Sequence, residues 1–184
     1  VAVVGEGVDG VLDVCHIESH DEARTPWPES LSVSALQSSN GDLHALDSVP
    51  AAAQLGWGNH PVDPDSHFCN MRDELKTVTG DNAIIWIGCR VQCAEPMHLA
   101  VLLGYDGPVK LFIDGVPVFH DPHGTNPARP DAACPEASLG NGEHELALAL
   151  GANQGRAWGV FLRLCRLDLG TDSNPPMLPQ IQPL

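Results

Sequence analysis

Val109-Lys-Leu-Phe-Ile-Asp-Gly-Val-Pro-Val-Phe119 decides the fold class. Val109, Leu111 and Ile113 alternate with Lys110 and Phe112, the period of a strand, so one face is expected to be buried and the other half wet. Asp114-Gly115 suits the positive-φ positions of a two-residue hairpin turn. Val116 to Phe119 is the return arm. Pro117 lacks the N–H that a ladder bond needs, which places this arm at a sheet edge or an irregularity.

Similar segments recur on both sides of the hairpin. Leu31 to Leu36 alternates with period two. Ala83 to Cys93 is rich in β-branched residues and carries Trp86. Met97 to Leu103 is nearly all apolar, which predicts burial on both faces. His144 to Leu150 puts Leu146, Leu148 and Leu150 on one side, and Trp158 to Leu167 is the last strong strand. Turn signals separate them at Ser38–Asp42, Gly104–Pro108, Gly140–Gly142 and Gly151–Gly155. No βαβ spacing and no internal repeat occurs. The 18 glycines and 16 prolines interrupt the chain often, and Met71 to Thr79, which is free of both, is sparse in apolar residues. The expectation is an all-β jelly-roll sandwich with little helix.

Three regions are expected. Residues 1–30 form an irregular N-terminal segment in which Val11, Val14 and Ile17 can make a first strand; 31–169 form the sandwich; 170–184, with four prolines, are a tail or linker. Two long polar loops interrupt the sandwich, Gly56 to Asp73 and His120 to Ser138.

The 184 residues suffice for one well-buried domain. A net charge of −15, from 24 acidic and 9 basic residues, argues against nucleic acid and against an anionic membrane surface. It weakens an anionic polysaccharide as ligand, although a local arginine cluster can still act. No apolar run is long enough to span a membrane. Val1-Ala-Val-Val4 is too short for a signal peptide, and the missing initiator Met suggests a processed or excised chain. Cys15, Cys69, Cys89, Cys93, Cys134 and Cys165 are an even number, so at least one disulfide is expected in an exported protein. On one regular strand Cys89 and Cys93 would stand roughly 13 Å apart, beyond the about 7 Å that a bridge allows.

Leu103-Gly-Tyr-Asp106 followed by Val109 to Gly115 resembles the central hairpin of the galactose-binding-like domains. Gly124 to Pro127, Arg129 to Asp131, Leu139 to Leu150 and Ala157 to Leu164 resemble the portion that follows, so the likeness covers residues 75–168. It implies a non-catalytic accessory module of a secreted carbohydrate-active enzyme, with a polysaccharide or oligosaccharide as ligand and a catalytic domain as neighbour. It also implies a structural Ca²⁺, for which Glu18 and Asp168 are the corresponding positions. The first 70 residues resemble no family.

The candidate ligand residues lie largely in the loops. Trp57 stands between Gly56 and Gly58, and Trp27 between Pro26 and Pro28; either indole offers a flat face to a pyranose ring or packs on the core. Trp158 begins a strand. Asn126, Arg129 and Arg72 can donate hydrogen bonds to sugar hydroxyls and Asp131 can accept them, or the Asn and Asp cap turns beside Pro127 and Pro130. His120 and His123, with His60 or His67, are candidates for a transition metal, but HxxH in a loop fixes no geometry. No GxSxG, HExxH, P-loop or GxGxxG after a strand is present. Two other readings stand beside the binding module: a structural domain that packs on a catalytic neighbour, and a small cupin-like metalloenzyme using the histidines.

Overall fold

The computed structural model describes residues 21–36, 43–51, 54–77, 83–169 and 177–184. The strands run β1 (Ser30–Leu36), β2 (Gly58–Pro61), β3 (Cys69–Asn70), β4 (Ile84–Cys93), β5 (Met97–Tyr105), β6 (Val109–Ile113), β7 (Val116–Asp121), β8 (Glu136–Leu139), β9 (Gly142–Gly151), β10 (Gly159–Arg166) and β11 (Gln180–Gln182). One α-helix, α1 (Arg72–Thr77), occurs among the described residues. Two antiparallel sheets result. One has the order β2-β1-β4-β9-β6-β7 with β11 also on β4, and the other is β3-β10-β5-β8. The protein is an all-β sandwich.

Alternation builds the core between them. Ile85, Ile87, Cys89, Val91 and Cys93 of β4 face Leu99, Val101, Leu103 and Tyr105 of β5 in one buried cluster, joined by Leu146, Leu148 and Leu150 of β9 and Val160, Leu162 and Leu164 of β10. Each such side chain contributes roughly 1.5–3 kcal/mol on leaving water.

The hairpin forms as its sequence predicts, Ile113 pairing with Val116 around Asp114-Gly115, both at positive φ. β7 is an edge strand, and Pro117 sits opposite Phe112 where the register shifts. The second face of β6, however, is not half wet. Phe112 is fully buried in a satellite cluster with Leu43, Leu55, Ile84 and Trp86, because Leu43, Leu46, Val49, Leu55 and Trp57 pack over the outside of this sheet. Lys110 is buried too, its Nζ donating to the Leu43 carbonyl at 3.4 Å.

Two further expectations change. The loop from Gly56 holds β2 and β3, and the loop from His120 holds the end of β7 and the start of β8. Residues 180–182, expected in a tail, instead pair as β11 with Arg90–Gln92 of β4. β1 covers the same edge of β4 from Ile84 to Gly88, so two short segments share one long strand. The Val11, Val14 and Ile17 segment lies outside the described residues. Cys89 and Cys93 fall on one regular strand as free thiols. Burial pushes the Cys89 thiol up to about 12. Cys134 is disulfide-bonded to a partner outside the described residues.

Candidate functional site on the outer face of the four-stranded sheet

β10 alternates about the sheet plane. Val160, Leu162 and Leu164 enter the core, leaving Phe161, Arg163 and Cys165 on the outer face, opposite Gly104, Leu102 and Ala100 of β5. Ala23 covers the Ala100–Leu102–Cys165 end. At the other end Gly104 has no side chain. A Cβ there would collide with the Arg129 carbonyl and stand 2.8 Å from the Phe161 ring, so only glycine lets the loop of residues 125–132 lie against the sheet.

That loop encloses a pocket of about 350 Å³, lined by Asn126, Arg129 and Asp131 together with Thr125, two prolines and Ala132. Its entry is tied down by Asp121, whose carboxylate accepts the N–H groups of His123 (2.9 Å) and Gly124 (3.0 Å) and the Tyr105 hydroxyl (3.0 Å). Burial first, and the Asp121 carboxylate second, push the Tyr105 phenol up, keeping it a donor at neutral pH. The Thr125 hydroxyl donates to the Tyr105 carbonyl. At the exit, Asp131 adopts a positive φ of 56° and takes a two-pronged bond from Arg163, with Nε at 3.1 Å. Arg163 also lies 4.5 Å from the Trp27 ring centroid, and Trp27 stacks on His67 at 5.2 Å. Trp27 and Asp131 are thus both engaged within the protein.

Asn126 points the other way, its Nδ2 donating to the Arg156 carbonyl at 3.5 Å. Two residues on, Trp158 is 44% exposed, with the Arg72 guanidinium 4.5 Å from its centroid. Trp158 is placed by Asp106, a buried carboxylate that accepts the N–H groups of Trp158 (2.8 Å) and Gly159 (3.1 Å). Beside Arg72 runs a second, more open groove of about 580 Å³ that includes His60, Asp63, Phe68, Asn70 and Asp73.

Trp27, Arg72, Asn126, Arg129, Asp131 and Trp158 therefore gather around one end of the four-stranded sheet. Trp57 does not join them. It packs half-buried on the outside of the other sheet, where a Cβ on Gly88 would come 2.9 Å from its ring. Asp168 is held by Arg166, whose Nε donates to it at 2.8 Å while Nη1 bonds Glu95 at 2.7 Å. Asp168 thus already serves an ion pair, and Glu18 lies outside the described residues. The histidines are dispersed as well. His60 contacts Glu74, His67 stacks on Trp27, and His120 meets His44 edge to face. Among the described residues no group of three His, Cys, Asp or Glu side chains is placed to hold a metal, so the three convergent imidazoles of a cupin-like site are not found there. No helix among those residues is long and apolar enough to cross a membrane.

Asp106, Phe161 and Arg163 were not among the expected site residues. The alternation from Trp158 to Leu167 already puts Phe161 and Arg163 on one face, opposite Val160 and Leu162. Asp106 carries no such signal, since in sequence it is one more turn residue.

No family model matches the sequence, and no curated protein does. Among solved structures the chain is similar to the β-glucosidase from Kluyveromyces marxianus in complex with glucose (TM-score 0.48, 11% identity), covering 79% of this chain and 16% of that one. It is also similar to the PA14 sugar-binding domain from an RTX adhesin (TM-score 0.46, 16% identity, 75% of this chain and 90% of that one). A third is the PA14 domain of the antifreeze protein MpAFP (TM-score 0.42, 11% identity, 86% and 94%). The chain thus spans only a small part of the β-glucosidase. At TM-scores below 0.5 these likenesses carry no argument, and they do not single out the galactose-binding-like family. The sandwich assignment rests on the strand pairing and the core.

Proposed function

We propose that this chain is a non-catalytic carbohydrate-binding module that works outside the cell beside a catalytic neighbour. One observation carries the reading: a half-exposed indole, Trp158, stands next to a loop pocket lined by Asn126 and Arg129. An indole face supplies apolar contact for the C–H face of a pyranose, and amide and guanidinium groups donate to its hydroxyls. The Cys134 disulfide suits an oxidising compartment. Trp57, on the other sheet, has no part in this site.

Affinity electrophoresis against a panel of soluble polysaccharides tests it. Wild-type protein is expected to be retarded by at least one glycan. Trp158→Ala should lose that retardation with its unfolding midpoint nearly unchanged, because exposed side chains add little to stability. Trp57→Ala should keep it. Retardation that survives Trp158→Ala would remove the site from this face, and no retardation by any glycan would remove the reading.

A further inference from the structure

The basic residues are few, and their placement is uneven. Among the described side chains, Arg90 pairs with Glu143, Arg163 with Asp131, and Arg166 with both Glu95 and Asp168, while Lys110 is buried on a carbonyl. Arg72, Arg129 and Arg156 are exposed and take no carboxylate partner among the described residues. The backbone brings these three positions to one end of the four-stranded sheet. Arg129 lines the loop pocket, Asn126 of the same pocket bonds the Arg156 carbonyl, and Arg72 lies over Trp158 two residues further on.

The acidic groups beside Arg129 are already engaged. Asp131 is neutralised by Arg163, and Asp106 is buried beneath the Trp158 and Gly159 amides. Asp63 and Asp73 line the same groove as Arg72, whereas the pocket of Arg129 holds Asp131 as its one described carboxylate. In a chain of net charge −15, Arg129 and Arg156 are thus exposed cations without a carboxylate partner among the described residues. A guanidinium fork without an internal carboxylate matches an external carboxylate or sulfate.

We propose that this end of the sheet binds an anionic polysaccharide, whose carboxylate or sulfate groups dock on Arg129 and Arg156 while a sugar ring lies against Trp158. This rests on the carbohydrate-binding reading above and names its ligand class. The repulsive net charge then acts as a filter, since a polyanion is tolerated only where these arginines face it.

The test is titration calorimetry of the whole chain with polygalacturonate, with the same polymer after its carboxyls are reduced to alcohols, and with a sulfated galactan, at low and high salt. At least one charged polymer is expected to bind, at least tenfold more weakly at high salt, and the reduced polymer at least tenfold more weakly than its parent if the parent binds. A preference between the charged polymers identifies carboxylate or sulfate as the docking group. Arg129→Gln and Arg156→Gln should each weaken binding roughly tenfold. Arg129→Lys, which keeps the charge and loses the fork, should fall between. Equal binding of parent and reduced polymers, or affinity indifferent to both arginines, would overturn the proposal. Binding confined to neutral glycans would overturn it and leave the module reading standing. Binding to no glycan of either kind would remove both.

Discussion

Asp106 shows how one side chain can set the site without facing a ligand. Its carboxylate holds the amide of Trp158 and that of Gly159, the first of β10. Asp106→Ala leaves both N–H groups without their acceptor, and a loss of about 3 kcal/mol in urea unfolding is expected. Asp106→Asn keeps one acceptor oxygen and should cost less. Burial is the largest influence on this carboxyl and pushes it up, against the pull of the Trp158 and Gly159 amides. The folded chain therefore keeps this proton to higher pH than the unfolded chain, and the linked stability is present below the ordinary Asp value of 3.8 and lost as pH rises through the folded value. The stability of wild type relative to Asp106→Asn should accordingly fall between pH about 4 and neutrality, and unfolding curves across that range check it.

Among the elements, the β6–β7 hairpin is legible from sequence down to its turn, and its anchor is not. Asp114 bonds the Glu145 amide at 2.9 Å and His144 Nδ1 at 2.7 Å, while His144 Nε2 meets the Gly140 carbonyl at 3.0 Å. Burial alone would lower the His144 pKa, but the Asp114 carboxylate and the Gly140 carbonyl together raise it. A raised histidine pKa stabilises fully below the unfolded value and loses that contribution as pH climbs through the folded one. His144→Gln should therefore cost more stability at pH about 5.5 than at pH about 8, and an NMR titration of the ring should give a midpoint above the ordinary 6.5. The loop over β5 depends on a missing side chain. In Gly104→Ala the new methyl drives into the Arg129 carbonyl, so the loop must lift. A loss of about 1–3 kcal/mol is expected, with weaker glycan binding than the stability change alone explains; calorimetry at a temperature where the variant is folded separates the two.

For the whole molecule, the central strands are buried on both sides because other parts of the chain fold back over the sheets. Leu43, Leu46, Val49, Leu55 and Trp57 cover one, and Ala23 with Leu167 and Leu169 covers part of the other. The C-terminal segment closes β4: Ser32 Oγ accepts the Leu184 amide at 2.8 Å, and Leu184 packs on Gly88 where a Cβ would collide with it. Removing residues 177–184 exposes the Arg90–Gln92 edge of β4. A fall in Tm of several degrees and concentration-dependent self-association are expected, since an unpaired strand edge is a template for another chain. Thermal melts and size-exclusion chromatography at two concentrations report both.

Period-two alternation and an Asp-Gly turn are local properties, and they determined the strands β1, β4, β5, β6, β9 and β10 within a residue or two, and the inward faces of β6 and β9. Which loop residues share a surface is not local. Trp57 and Trp27 read alike in sequence, each an indole between turn residues, yet they pack on opposite sheets. The Arg166 pairing of Asp168 is not visible in sequence, and Arg163 reads as one more strand residue until Asp131 and Trp27 close on it. The tertiary structure alone decided these matters, because each depends on contacts between residues far apart in the chain that no short-range period encodes.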